Sequence, residues 1–368
     1  MKGLVVMTNH EFYMQIALQN ARAMKGQTDP NPLVGAVIVN NKRIVGIGAH
    51  MKAGEPHAEI HALHMAGENA IGATMYVTLE PCSHHGRTGP CAEAIVKAGV
   101  KKVVIATLDP NPIVAGNGVA ILKNAGIEVE TGVCQEESTK MNEVFNKYIV
   151  EKKPFVTLKS GITLDGKVAT HTLSSKWITS EASRKDVHQL RHENMAILAG
   201  INTVLKDNPA LTSRIPNGKN PIRIIMDSRL RIPLDYQVIT DKQAETWIFT
   251  SQEHDVTMKE KLEHLGIKVI VTESSNTVDP GDVVNILGEN GISSLLIEGG
   301  GNINASFLQK NLIDKFILYF APKLVGGKDA PTFLEGEGIQ EMKDAIELKD
   351  TEIIKIGNDF KFIGYLKK

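Results

Sequence analysis

Three residues in the first quarter of the chain have the types and order of a metal site: His57, Cys82 and Cys91, with Glu59 two positions beyond the histidine. Zinc takes nitrogen and sulfur ligands in a tetrahedron, and a catalytic site keeps one position for water. One His and two Cys supply three ligands. Zinc lowers the pKa of a bound water toward about 7, and a carboxylate beside it can carry the proton to a leaving amine. Glu59 fits that task without being a ligand. His-x-Glu, then Pro-Cys, then Cys is the order of the zinc deaminases, which act on amino-substituted pyrimidine-like rings. The spacing departs from the common form. Two residues usually separate the cysteines, whereas here Ser83 to Pro90 intervene. The alternative is two buried cysteines and a surface histidine. His57 and His61 are also four apart, as in a two-His zinc motif, but position 58 is Ala where that motif has Glu. His61 and His64 are therefore read as helix surface or packing, and Cys134 as an inert thiol.

These residues need elements to hold them. Glu11 to Met24 and His57 to Ala66 have helical spacing. Val34 to Val39 and Ile44 to Ala49 read as strands joined at Asn40-Asn41, a hairpin signal. Thr74 to Leu79 is a strand, and Cys82 follows its end. Pro90 to Ala98 is a helix whose first turn carries Cys91, where the dipole favours a thiolate. The strand Val103 to Ala106, a helix over Gly118 to Asn124, the strand Glu128 to Val133 and a helix over Glu136 to Val150 complete the pattern. Strands alternating with helices indicate an α/β layer structure.

A boundary falls near Glu151-Lys152-Lys153-Pro154, giving domains over residues 9–150 and 151–368. In the second, strands are expected at Phe155 to Lys159, Ala196 to Leu198, Ile222 to Asp227, Thr246 to Phe249, Lys268 to Val271 and Leu295 to Ile297. Helices are expected at Ser180 to Asn194, Val256 to Leu265, Asp282 to Asn290 and Ile303 to Lys310. Lys315 to Ala321, Glu352 to Ile356 and Phe360 to Leu366 look antiparallel. The glycine-rich piece Gly299-Gly300-Gly301-Asn302 lies between a strand and a helix. Backbone N–H groups there suit a cofactor phosphate, and a tight turn is the competing explanation. Lys159, Asp207 and Glu298 follow or flank strand ends, where α/β folds gather ligands.

The chain has 368 residues, 42% hydrophobic and 23% charged, with a formal net charge of −1. At roughly 100–200 residues per domain, two domains are expected. Near-neutral charge argues against nucleic acid or an anionic membrane as the main partner. No apolar run reaches the about 18 residues of a membrane span. Three cysteines do not make a disulfide framework, so a reducing, cytoplasmic setting is the default.

Taken with Glu80-Pro81-Cys82-Ser83-His84-His85-Gly86-Arg87-Thr88-Gly89-Pro90-Cys91, the chain resembles the bifunctional riboflavin-biosynthesis deaminase/reductase family. The long inter-cysteine loop is specific to that family. Further matching stretches are Asp29 to Gly35, Asp109 to Pro112, Gly161 to Lys167, Ser175 to Thr179, Lys206 to Pro209 and Glu298 to Gly301. The resemblance implies two three-layer α/β domains, one cytidine-deaminase-like and one dihydrofolate-reductase-like. It implies zinc-dependent deamination of 2,5-diamino-6-ribosylamino-4(3H)-pyrimidinone 5′-phosphate. NADPH-dependent reduction of the ribosyl group to ribityl then follows. It also implies a homo-oligomer, with a tetramer favoured over a dimer.

Residue roles follow from the match. Asn31, His50, Arg87, Asp109 and Asn111 fall on loops expected to rim the deaminase pocket. Asn and Asp read the ring edge there, and Arg87 or His50 meets the phosphate. For Asn31 and Asn111, turn chemistry beside Pro explains the residues equally well. Ser175, Arg191, Asn208, Leu211 and Arg214 match substrate-side positions of the reductase, with Arg191 and Arg214 as a bidentate phosphate clamp. The plainer reading of Arg191 is a solvated helix face. Gly161, Trp177, Thr179, Thr203 and Asp207 match cofactor-side positions. Two other functions compete with this one: a nucleic-acid base deaminase with a non-catalytic second domain, and a deaminase fused to an antifolate-sensitive reductase.

Overall fold

The computed structural model describes residues 7–83, 89–111 and 115–367. The chain forms two compact units that divide after Lys152. The first contains helix α1 (Asn9–Arg22), strands β1 (Gly35–Asn40) and β2 (Arg43–Ala49), α2 (Ala58–Ala66), β3 (Thr74–Leu79), α3 (Cys91–Lys97), β4 (Lys102–Thr107), α4 (Asn117–Asn124), β5 (Glu128–Thr131), α5 (Gln135–Met141) and α6 (Glu143–Glu151).

The five strands lie in the order β2-β1-β3-β4-β5. β1 runs antiparallel to β2 and β3, and β3, β4 and β5 are mutually parallel. The β1–β2 turn is Asn41-Lys42, both with positive φ, the backbone that a two-residue hairpin requires. One face of the sheet packs Ile38, Met75, Val77 and Ile105 against Ala62 of α2, Ile95 of α3 and Leu122 of α4. The other packs Val37, Tyr76 and Val104 against Met14 and Leu18 of α1. Three layers result.

α2 sits unusually close to its strand. A Cβ at Gly46 would lie 2.2 Å from the Ala62 carbonyl oxygen, and one at Gly48 would lie 2.1 Å from that of Ala58. Ala58, Ala62 and Ala66 form the facing stripe and are at most 3% exposed. Bare backbone meets a ridge of methyl groups, which fixes the helix against β2.

The long helix expected over Glu136 to Val150 is two helices. Asn142 interrupts it with φ −101° and ψ 22°. Its buried amide accepts from Leu33 N–H at 2.8 Å and donates to Leu33 C=O at 3.0 Å. A side chain that satisfies a distant backbone in both directions outweighs continuation of the helix. α1 begins two residues before the expected Glu11, because Thr8 and Glu11 form a capping box.

The second unit contains β6 (Phe155–Thr163), α7 (Glu181–His192), β7 (Ala196–Gly200), α8 (Ile201–Asp207), β8 (Ile222–Met226), α9 (Gln237–Thr240), β9 (Thr246–Thr250), α10 (Val256–His264), β10 (Lys268–Val271), α11 (Pro280–Glu289), β11 (Ser294–Ile297), α12 (Gly301–Gln309), β12 (Lys315–Ala321), β13 (Leu348–Ile356) and β14 (Asp359–Leu366). Nine strands run β10-β9-β8-β7-β11-β6-β12-β14-β13. All neighbours are parallel except β12 with β14 and β14 with β13.

One face packs on α11 and α12 through Val283, Leu287 and Phe307. The opposite face packs on α7, α8, α9 and α10 through Leu190, Val204, Val238 and Leu262. This unit too has three layers. β6 continues four residues past the expected Lys159, because β12 pairs with it as far as Thr163. α12 starts at Gly301 rather than Ile303, so the glycine-rich piece enters the helix. The short helices α8 and α9 offer too few residues for a periodic signal. No described helix is long and apolar enough to cross a membrane.

Candidate active sites

In the first unit, three element ends converge. His57 is the N-cap of α2, Cys82 follows β3, and Cys91 is the first residue of α3. His57 Nδ1 lies 3.5 Å from Cys82 Sγ and 3.3 Å from Cys91 Sγ. The Cys91 N–H donates to Cys82 Sγ at 3.3 Å. The three ligand atoms lie within 4.8 Å of one another. The Cys91 thiol beside it draws the Cys82 thiol down to about 4, and Cys82 in turn drives Cys91 up. Among the described residues the group holds one imidazole and two sulfurs and no fourth protein donor, which matches a catalytic zinc set. The donor chemistry therefore fits the metal.

Glu59 is 3% exposed, and its Oε2 has no hydrogen-bond partner. Burial raises its pKa to about 7. A buried carboxyl oxygen without a partner is costly, and a carboxyl raised toward neutrality suits proton transfer.

Beside these groups is a cavity of about 350 Å³ lined by Asn31, His50, His57, Glu59, Cys82, Asp109 and Asn111. The His50 Nε2 accepts from Asn31 Nδ2 at 3.1 Å, and its Nδ1 donates to the Pro56 carbonyl at 3.3 Å. Burial lowers the His50 pKa. With both nitrogens engaged, His50 orients Asn31 on the cavity rim. Arg87 lies outside the described residues. The Asp109 side chain accepts from Asn111 N–H at 2.9 Å.

Sequence reasoning missed Glu80, Phe145 and Ile149, which also line the cavity. Phe145 and Ile149 are apolar, four apart on α6, and only half-buried. That was the available signal. His61 is half-buried with an unpartnered Nε2, and His64 is exposed. Cys134 accepts a long bond from Gln15 Nε2 at 3.6 Å.

In the second unit, Lys159, Arg191 and Glu298 form one cluster. Lys159 Nζ lies 2.9 Å from Glu298 Oε2, and Arg191 Nε lies 2.7 Å from Oε1. Burial opposes the Glu298 charge, but Arg191 and Lys159 outweigh it and hold the carboxyl far below the usual range. The guanidinium Nη1 donates to the Thr212 carbonyl at 3.0 Å. The plainer reading of Arg191 as a solvated helix face does not hold: its side chain is 13% exposed and its bidentate edge meets Glu298.

The remaining residues fall as follows. Asp207 ends α8 rather than flanking a strand. Asn208 has positive φ, and its Oδ1 accepts from Gln237 N–H at 2.8 Å. Leu211 is buried in the core beneath α7, while Arg214 is exposed. Ser175 is half-buried on the loop after β6. Trp177 is exposed on that loop, where the Arg184 guanidinium lies 4.5 Å from the centre of its ring. Gly161 faces Thr179, whose methyl would lie 3.2 Å from a Cβ there.

Gly300 is the informative glycine of its run. Its φ of −79° suits any residue, and a Cβ would meet only Thr203 Oγ1, at 3.9 Å. Gly299 and Gly301 are crowded by Ile303 and by Glu335 with the Thr332 carbonyl. Neither strain nor packing demands glycine at 300, and no tight turn does either. The open space beside it at the α12 N-terminus leaves room for a bound group, so these residues fit a cofactor phosphate. Asn302 is exposed in that first helical turn.

Comparison with known proteins agrees with both sites. Residues 7–107 match the cytidine and deoxycytidylate deaminase zinc-binding region, and residues 154–362 match the RibD C-terminal domain. The chain is 50% identical to riboflavin biosynthesis protein RibD of Bacillus amyloliquefaciens, over 97% of this chain and 96% of the relative. It is 42% identical to that of Escherichia coli, over 95% and 97%. Among solved structures, Acinetobacter baumannii RibD superposes with a TM-score of 0.88 at 39% identity, covering 98% of this chain and 99% of that one. The deaminase/reductase of Thermotoga maritima gives 0.85 at 36%, covering 97% and 98%. With both halves matched in one relative along its whole length, the chain belongs to the RibD family of bifunctional deaminase–reductases of riboflavin biosynthesis.

Proposed function

We propose that the chain carries out two successive steps. The first removes the 2-amino group of 2,5-diamino-6-ribosylamino-4(3H)-pyrimidinone 5′-phosphate by hydrolysis. The second uses NADPH to reduce the ribosyl group, giving 5-amino-6-ribitylamino-uracil 5′-phosphate. The observation that carries the reading is the buried Glu59 carboxyl, its Oε2 without a partner, in a cavity shared with His57 and Cys82.

In the first step, His57, Cys82 and Cys91 would hold zinc, which when bound would supply a water nucleophile active near neutral pH. Glu59 accepts the proton of the attacking water and returns it to the departing nitrogen, which leaves as ammonia. Asn31, Asp109 and Asn111 read the ring edge, with Asn31 oriented by His50. Arg87 is the candidate for the 5′-phosphate. The domain assignment is residues 9–150 for deamination and 151–368 for reduction.

In the second step, NADPH supplies hydride to C1′ when bound. Glu298 directs the Lys159 ammonium, which supports proton delivery to the opening ribose. Ser175, Arg191, Asn208, Leu211 and Arg214 belong to the substrate side, with Lys159 and Glu298 beside them. Gly161, Trp177, Thr179, Thr203, Asp207, Gly299, Gly300, Gly301 and Asn302 belong to the cofactor side. A cytoplasmic setting and a homo-oligomer, tetramer before dimer, complete the reading; three unpaired cysteines support the former.

The test is a coupled assay on purified chain with the diaminopyrimidinone phosphate. Ammonia release should be followed by NADPH oxidation. Ammonia without NADPH consumption would sink the two-step reading.

A further inference from the structure

Glu80 is a buried carboxylate, 4% exposed, with no assigned task in either step. It stands immediately before Pro81 and the ligand Cys82. Its side chain is saturated by backbone. Oε2 accepts from the Asp109 N–H at 3.2 Å and the Gly116 N–H at 3.0 Å, and Oε1 accepts from the Val119 N–H at 3.2 Å. Its own N–H donates to the Thr107 carbonyl. The donors come from two segments, the loop that carries Asp109 and Asn111 and the first turn of α4. Gly118 makes the approach possible. A Cβ there would lie 2.1 Å from the Pro81 carbonyl oxygen and 3.2 Å from Glu80 Oε1.

A chain of direct contacts follows. Glu80 fixes Asp109 N–H, the Asp109 carboxylate fixes Asn111 N–H, and both side chains face the cavity. The same tripeptide places Cys82. We infer that Glu80 is a positioning residue that sets the substrate-reading loop in register with the metal-binding strand end. The inference rests on the reading of Asp109 and Asn111 as substrate contacts. A carboxylate suits the role because both of its oxygens meet donors. An amide would turn an N–H₂ group against one of those N–H groups, and a buried donor left unpaired is costly.

The test measures deaminase kcat and KM, zinc content and reductase rate for Glu80→Gln, Asn111→Ala and the double variant. The reductase rate serves as the internal control for intact chain, and Glu80→Asp as a second, charge-retaining variant. Glu80→Gln should raise KM about 10-fold with kcat changed less than about 3-fold, and zinc should be retained in full. Asn111→Ala should raise KM on its own. In the double variant the effect of Glu80→Gln should largely vanish, because the two act through one loop. Glu80→Asp should recover part of the KM.

If Asn111→Ala leaves KM unchanged, the reading of the substrate loop fails. If it raises KM while Glu80→Gln does nothing, or adds its full effect in the double variant, the inference about Glu80 is overturned. Zinc loss in proportion to lost activity would also overturn it, since Glu80 would then act on the metal strand alone.

Discussion

Arg191 meets Glu298 edge-on, with Nε donating to Oε1 at 2.7 Å and Nη2 to Oε2 at 2.9 Å. This fork geometry is the strong form of the Arg–carboxylate pair. Lys159 takes a further place on Oε2. One carboxylate thus balances two cations whose side chains are each 13% exposed.

Glu298→Gln removes that balance. Two nearly buried cations lose their counter-charge, which costs about 3 kcal/mol. The unfolding temperature of the reductase unit should fall by roughly 10 °C, and reduction should be lost. Calorimetry on the purified variant checks this; an unchanged melting temperature would mean that the cluster is well solvated after all.

Glu59→Gln keeps the shape of the deaminase cavity and removes the proton carrier. Ammonia release should drop by about 10²–10⁴-fold. Reduction of the already deaminated intermediate should stay near normal. Loss of both activities in folded protein would count against two separable sites.

Cys91→Ser replaces a sulfur that is 1% exposed and stands 3.3 Å from His57 Nδ1. Metal analysis should find zinc lost from the purified variant, since a hydroxyl does not ionise as a thiol does. Full zinc retention would remove Cys91 from the ligand set. A chelator applied to the native chain should reproduce the variant, abolishing deamination while sparing reduction.

Asn142→Ala leaves the Leu33 N–H and C=O without their partner. The deaminase unit should lose about 1–3 kcal/mol, read as a lower denaturant midpoint at unchanged m-value. Because Leu33 follows Asn31 and Pro32 on the cavity rim, deaminase KM should rise as well. A variant as stable as the parent would show that the break between α5 and α6 has another cause.

The candidate metal group was legible because its residue types are rare and their order is constrained by chemistry. The strands were legible wherever apolar runs were bounded by turn residues, as at Thr74–Leu79. What escaped was long-range polar pairing. Asn142 reads as an ordinary helix residue until Leu33 arrives 109 positions away. Arg191 reads as a surface cation until Glu298 arrives from 107 positions away. Glu80 escaped because its partners are backbone N–H groups, which every sequence offers and none marks. The contacts of His50 with Asn31 and the Pro56 carbonyl escaped for the same reason, since nothing in the local pattern marks them.

The seating of α2 on Gly46 and Gly48 reaches beyond packing. The helix carries Glu59 and is capped by His57, yet neither glycine lines the cavity. Any side chain at either position must lift or roll the helix by an ångström or more, taking the proton carrier and a metal ligand along. In a library of all single substitutions scored for growth without supplied riboflavin, these two glycines should tolerate as little as His57 does. The genetic map of the active site would then extend one layer behind its chemistry.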